Sequence, residues 1–324
     1  MDLKGIHHVS AITALAGKNY DFYTKVLGMR LIKKTVNQDD TSVYHLFYGD
    51  EKGNAGTELT FFEIPRAGRN HDGVNSISEI SLRVRSDEAL QYWKARFEEK
   101  NVEHEEVSER FGRLSLAFKD HEGQRLRLVS DETNNGVAGG TPWINSVVPQ
   151  DVGIIGLGPV MLTVRTKELT EEVITEVLGF RKKGAYASPF SDQPDILVYE
   201  TGEGGTGAEL HIEERKDLPP ERLGRGGVHH VAFRVNDEEE LRQWINNIQG
   251  ARIPNSGFVD RYYFKSLYFR ELNGILFELA TDGPGFATDE HLEHLGESLA
   301  LPPFLEPKRH EIEAKLQPLD TKLS

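Results

Sequence analysis

The sequence predicts an α+β fold assembled from four similar modules in a tandem duplication. Three observations carry this. A single offset of 151 residues lays Thr24, Val26, Leu27, Gly28 and Arg30 on Thr175, Val177, Leu178, Gly179 and Arg181. The same offset takes Gly56, Leu90, Trp93, Arg110 and Gly123 to Gly207, Leu241, Trp244, Arg261 and Gly274. A short match is easily accidental, but one offset that holds end to end is a repeat. Each half then divides again into a strand, a helix and two or three further strands. Finally, a paired-histidine phrase occurs twice, as "GIHHVS" at Gly5 and "GVHHVAF" at Gly227.

The elements follow in order. "IHHVS" alternates as a strand, and "KNYDFYTKVLG" places Tyr20, Tyr23, Val26 and Leu27 on one helical stripe closed by Gly28. Stretches of β type follow around Tyr44–Tyr48 and Leu59–Ile64. In the second quarter "EISLRV" is a strand, and "SDEALQYWKARFEEKN" is a helix with Leu90, Trp93 and Phe97 on its stripe. "RLSLAF" and "QRLRLV" are strands separated by a turn at Gly123. Quarters three and four repeat the pattern. Residues 1–135 form the first expected domain and 152–285 the second, joined by a link over 131–155. The tail, 286–324, reads as a short charged helix between prolines, laid along the surface.

Side chains on a strand alternate between faces. In "VHHVAFRV" the apolar face is Val231, Phe233 and Val235, so His230, Ala232 and Arg234 face the other, concave way. In the second quarter Ile80, Leu82 and Val84 oppose Glu79, Ser81 and Arg83. In the third, Val160, Leu162 and Val164 oppose Met161, Thr163 and Arg165. By this register His8 and His230 lie on the concave face, while His7 and His229 start on the opposite side and suit a supporting role. On "GILFELATD" the apolar face is Phe277 and Leu279, which turns Glu278 inward. Two imidazoles and one carboxylate make a three-ligand metal set that leaves coordination positions free. The duplication provides a control: the shift places Pro159 at the counterpart of His8, Glu79 at that of His230 and Arg127 at that of Glu278. The scaffold positions match while the proposed ligands do not. If the three share a metal, quarters one and four must face each other across one bowl. His45, His71, His104, His121, His291 and His294 show no such pattern and read as surface residues. The doubled carboxylates read as solvated turns or helix ends.

The chain has 324 residues, a net charge of −14 and no cysteine. Such acidity argues against a nucleic-acid backbone or an anionic lipid surface as partner. No apolar run is long enough to cross a bilayer, and the first residues lack the regions of a signal peptide. The absence of cysteine excludes disulfide and thiolate chemistry. The expectation is a cytoplasmic protein that handles a small molecule.

The segments "HHVS", "FYTKVLGMRL", "VHHVAF" and "DRYYFKSLYFRELNGILFELATDGPGF" resemble the vicinal oxygen chelate superfamily. With the "PP…E…R…IE" tail, the whole chain is similar to its bacterial ring-cleaving dioxygenase branch, which includes the hydroquinone dioxygenases. The resemblance implies four βαβββ modules forming two cupped mixed sheets. It implies Fe(II) held by His8, His230 and Glu278. It also implies ligand-supporting and substrate-contacting positions at His7, Ser10, His229, Arg261 and Tyr268, with Tyr268, His229 and Arg261 in catalytic roles. Ser10 departs from the pattern, which has threonine there. The implied partners are a small aromatic substrate and O2, with both oxygen atoms inserted; assembly into a homo-oligomer is compatible with this reading. Tyr268 has the counterpart Ala117, whereas Arg261 has the counterpart Arg110.

Two other functions compete. A glyoxalase-type isomerase would use Zn or Ni with Glu58 of "GTELTFF" as a fourth ligand; its counterpart Glu209 persists in the other half and suggests a structural role. A non-catalytic protein that sequesters a drug or quinone would need no metal, and it leaves the three ligands unexplained.

Overall fold

The structure, a computed structural model, describes residues 1–322, so the last two residues of the expected tail lie outside it. The first quarter supplies β1 (Ile6–Thr13), α1 (Ala16–Asp21), β2 (Arg30–Val36), β3 (Tyr44–Gly49) and β4 (Glu58–Glu63). The second supplies β5 (Ser76–Val84), α2 (Asp87–Lys100), β6 (Ser108–Arg110), β7 (Arg113–Lys119) and β8 (Arg125–Ser130). The third supplies β9 (Ile154–Val164), α3 (Lys167–Glu172), β10 (Arg181–Tyr186), β11 (Ile196–Glu200) and β12 (Glu209–Glu214). The fourth supplies β13 (Val228–Val235), α4 (Glu238–Gly250), β14 (Val259–Asp260), β15 (Phe264–Arg270) and β16 (Leu276–Pro284). The fold is therefore α+β, four βαβββ modules in two curled mixed sheets. One sheet runs β14-β15-β16-β13-β1-β4-β3-β2, the other β10-β11-β12-β9-β5-β8-β7-β6. Quarters one and four share the first sheet, and quarters two and three share the second.

The strand faces follow the alternation. Val9, Val231, Phe233, Phe277 and Leu279 join the main apolar core together with Ile80, Leu82, Val160 and Leu162. Helix α2 contributes Leu90, Trp93 and Phe97 to that core, and α4 contributes Leu241, Trp244 and Ile248. Ser86 caps α2 by accepting from the Ala89 amide, and Asn101 ends it in the left-handed region at φ 54. Ala232 and Ala280, on the other face, belong to a separate apolar cluster with Phe47 and Phe264.

The helix expected from "KNYDFYTKVLG" is α-helical only to Asp21 and then widens by a residue, with the Leu27 amide donating to Phe22 O at 3.0 Å. Its duplicate does the same, Leu178 to Val173 at 3.1 Å. In both, a threonine hydroxyl donates to the carbonyl four residues back, Thr24 to Tyr20 and Thr175 to Glu171. That bond competes with the helical ladder and accounts for the bend.

Strand β2, "RLIKKTV", was not among the expected β-type stretches of the first quarter, and it carries three cations. The structure buries those charges: Lys33 is 0 % exposed and is paired with Asp289 and Glu290 of the tail. The tail does contain a short helix, α5 (Arg309–Glu313), but it also buries Leu301, Leu305, Ile312 and Leu316. It is docked rather than merely laid on the surface. Among the described residues no helix is long and apolar enough to cross a membrane.

Trp93 is fully buried and donates its indole N–H to Val152 O at 2.8 Å, tying α2 to the inter-half link. Trp93→Ala should cost about 3–5 kcal/mol of stability, read as a lowered denaturation midpoint.

Candidate metal centre

The centre of the first sheet is the antiparallel pair β1–β13, and its register is interrupted twice. Ile6 faces Phe233 and His8 faces Ala232, so His7 is an extra residue on β1. Ser10 faces His230 and Ala11 faces Val228, so His229 is an extra residue on β13. Each histidine pair therefore sits at a β-bulge, which re-aims a side chain. This corrects the simple alternation: His7 and His229 do not turn to the opposite face. Their Nδ1 atoms lie 2.9 and 2.8 Å from Nδ1 of His8 and His230.

The bulges bring together three groups that are far apart in the chain. His8 Nε2 is 3.1 Å from His230 Nε2 and 3.1 Å from Glu278 Oε2, and His230 Nε2 is 2.9 Å from the same oxygen. Glu278 arrives because β16 pairs in parallel with β13, next to Ala232. All three side chains are buried. Ser266 donates to Glu278 Oε1 at 2.6 Å, while Oε2 is buried with no hydrogen-bond partner. Donors about 2.0–2.2 Å from one cation and at right angles to each other would lie about 3 Å apart. The triangle of His8, His230 and Glu278 has that size, so the residues fit a divalent metal. Burial alone would raise the Glu278 carboxyl; the neighbouring His8 and His230 outweigh it and hold it well below the usual carboxylate range. An ionised, orphaned carboxylate oxygen between two imidazole nitrogens makes this cluster a candidate cation site.

The supporting histidines set the protons. His7 Nε2 lies 3.0 Å from the carbonyl of Thr281, which only accepts, so this nitrogen carries hydrogen. Burial, with His8 beside it, pushes His7 down to about 3, so the ring is neutral and its Nδ1 accepts from His8 Nδ1–H. The Nε2 lone pair of His8 is thereby left for the cation. His229, which burial and His230 lower to about 4, is neutral as well, but only its contact with His230 Nδ1 fixes its ring.

A cavity of about 300 Å³ opens onto His8 and His230, lined also by Phe47, Phe62, Phe264 and Tyr268. Tyr268 is directly cross-strand from Glu278. Its phenol oxygen accepts from Arg261 Nε at 3.2 Å, and burial raises its pKa. Arg261 also grips Asp39 through both terminal nitrogens, at 3.3 and 3.0 Å. Ser10 is one step removed: its hydroxyl is 2.7 Å from Thr60 Oγ1, which is 2.9 Å from His45 Nε2.

His45 thus corrects the surface reading. It lines the cavity, flanked by Phe47 and Phe62 at ring separations of 4.0 and 4.1 Å. A lone histidine between aromatic residues on a strand carries no sequence signal of this. His71, His121, His291 and His294 are exposed as expected, and His104 is half-buried. Asp39 sits in a solvated turn, yet its pairing with Arg261 places it at the cavity rim. Glu58 belongs with His7 and His8, 3.5 Å from His7 Nδ1, and not with His230 and Glu278.

The comparisons with known proteins agree with this architecture. The profile of the Glyoxalase/Bleomycin resistance protein/Dioxygenase superfamily matches residues 5–128 and 156–279. MhqA of Bacillus subtilis, which carries the name of a ring-cleaving dioxygenase, is 58 % identical over 319 residues, covering 98 % of this chain and 100 % of its own. The chlorohydroquinone/hydroquinone 1,2-dioxygenase of Sphingobium indicum is 31 % identical, covering 96 % of this chain and 95 % of its own. A crystal structure of a Bacillus subtilis protein described as a dioxygenase superposes with a TM-score of 0.88 at 35 % identity, covering 99 % of both chains. Glyoxalase I from Zea mays shares the fold, with a TM-score of 0.65 at 16 % identity over 87 % of this chain and 93 % of its own.

Titrated with a divalent transition metal, the protein should bind one equivalent per chain. Anomalous diffraction should place it between His8, His230 and Glu278, with no metal beside Glu79, Arg127 and Pro159. Ser266→Ala should weaken metal binding by about 10–100-fold, as expected for a group that supports a ligand, and Glu278→Gln should weaken it further. Equal losses, or a metal peak in the second cup, would show that the site is wrongly assigned.

Proposed function

The chain belongs to the Glyoxalase/Bleomycin resistance protein/Dioxygenase superfamily, and on that premise we propose an Fe(II)-dependent ring-cleaving dioxygenase that inserts both atoms of O2 into a hydroquinone- or catechol-type aromatic. The observation that carries the reading is a buried two-histidine, one-carboxylate triangle opening into an aromatic-lined cavity. Such a facial set suits non-haem Fe(II) oxygen chemistry and leaves room for two exogenous ligands. The named activities of MhqA and of the Sphingobium enzyme support the same class. Glu58 groups with His7 and His8 and not with His230 and Glu278, which speaks against a fourth protein ligand and hence against the isomerase alternative.

Iron in this position supplies the one-electron chemistry that ground-state O2 requires to react with a closed-shell phenol. The protein side of the reaction follows from the cavity. Phe47, Phe62 and Phe264 form walls that take a flat ring and exclude water. Arg261, clamped by Asp39, presents a fixed guanidinium to an oxygen substituent on that ring. Tyr268 is protonated at neutral pH, and Arg261 holds its oxygen, so its hydrogen is free to point at a substrate oxygen. His229, with Nδ1 engaged by His230, keeps its hydrogen on Nε2 and faces the same cavity. Tyr268 is thus placed to pass a proton, and neutral His229 to offer a hydrogen bond, to a substrate oxygen.

Tyr268→Phe separates binding from proton transfer. The variant should retain iron at the wild-type level and slow hydroquinone-dependent O2 consumption by ~10²–10⁴-fold. Full activity would reduce Tyr268 to packing, and loss of iron would make it part of the metal shell. Iron content measured beside O2 uptake reads both, and a preparation active with Zn but not Fe(II) would overturn the assignment.

A further inference from the structure

The second cup repeats the form of the metal cup with different occupants. Glu79, Arg127 and Pro159 stand where the duplication would place His230, Glu278 and His8. Arg127 grips Glu79 through Nε and Nη2 at 2.9 and 3.1 Å, and Arg110 donates to the same carboxylate through Nη1. Two guanidiniums thus meet one carboxylate on the floor of a cavity of about 400 Å³. The two arginines hold Glu79 down at about 2 against the effect of its burial, so that carboxylate is always charged.

Arg110 is the counterpart of Arg261, and their surroundings differ in one respect. Arg261 Nε donates to the Tyr268 phenol, but the counterpart of Tyr268 is Ala117. Among the described residues, Arg110 Nε and Nη2 have no protein acceptor. Ala117 lines the cavity together with Arg110, so the space of the missing phenol belongs to that cavity. Met161, Phe190 and Ile196 provide apolar walls. The cations of the rim are already matched: Lys119 by Glu103, Arg125 by Asp72 and Arg215 by Asp217. Glu213, a further carboxylate of the lining, accepts from Thr163 Oγ1 at 2.8 Å and lies 3.7 Å from Arg215, so the donors left open at the floor are those of Arg110, below apolar walls.

We propose that this second cup is a metal-free binding site for a small aromatic carboxylate. The carboxylate would take the free N–H groups of Arg110, in the space vacated by the phenol, and the ring would lie against Met161 and Phe190. A charged guanidinium with open donors in a partly desolvated pocket favours a planar two-oxygen anion. Apolar walls select one that carries a ring.

Benzoate, which has no phenolic oxygen, is the probe, titrated calorimetrically into the purified full-length protein. Arg110→Gln should weaken binding by about 10- to 100-fold, the loss of a charge-assisted pair, while Glu79 keeps its clamp from Arg127. Ala117→Tyr should have a similar effect by filling the space while leaving Arg110 in place. It decides the matter alone if the first variant fails to fold. In both variants turnover without benzoate should be unchanged. Absence of benzoate binding at millimolar concentration, or binding that survives both substitutions, overturns the proposal. Binding lost only in Arg261→Gln would place the anion in the metal cup and overturn it equally.

Discussion

The antiparallel pairing of β1 with β13 is the constraint on which the rest of the structure depends. It joins the first quarter to the fourth, and it sets His8 and His230 at a mutual distance of 3.1 Å although they lie 222 residues apart in the chain. The pair also positions the two flanking strands that matter: β4 beside β1 and β16 beside β13. Glu278 reaches the centre only because β16 follows β13 in parallel. A buried carboxylate with one oxygen left unpartnered beside two imidazoles is costly unless a cation joins them. Pairing and metal binding are thus linked: the strands create a site whose electrostatics are completed by the ion.

The second sheet shows the same scaffold with the electrostatics completed differently. Its central pair, β5–β9, breaks register between Ile77 and Glu79 and again between Leu157 and Val160. Ser78 and Gly158 occupy the positions that the 151-residue shift assigns to His229 and His7. The bulges are therefore features of the repeated module, and histidines stand on them only in the metal cup. In the other cup a guanidinium, carried by Arg127, neutralises Glu79. One cup leaves its carboxylate open to a cation from solution, while the other carries its cation covalently.

This comparison also explains what was legible in the sequence. Alternation of two identifies faces wherever pairing is regular, which is why Val231, Phe233, Phe277 and Leu279 read correctly as core and His230 and Glu278 as inward. A bulge inserts one residue without any compositional mark, so the orientation of His7 and His229 was hidden. Long-range partners were equally hidden. Lys33 and Lys34 obscure β2 because their counter-groups, Asp289, Glu290 and carbonyls of the tail, lie more than 250 residues away. The bond from Thr60 to His45 and the clamp of Asp39 on Arg261 are likewise contacts between separate strands or loops. No local pattern encodes them.

The two histidine pairs look alike in sequence but differ in how their outer nitrogens end. His7 is 1 % exposed and its Nε2 is anchored on the Thr281 carbonyl, three residues beyond Glu278 on the same strand. One strand thus supplies both a metal ligand and the group that fixes the tautomer behind another ligand. His229 has no comparable anchor among the described residues, and its ring lines the cavity between Phe62 and His230. A fixed acceptor makes the first pair a rigid support. Without one, the second pair has a hydrogen to offer to whatever enters the cavity. In the proposed enzyme the duplicated phrase would carry two tasks: the first pair orients a ligand, and the second orients a ligand and also faces the substrate cavity.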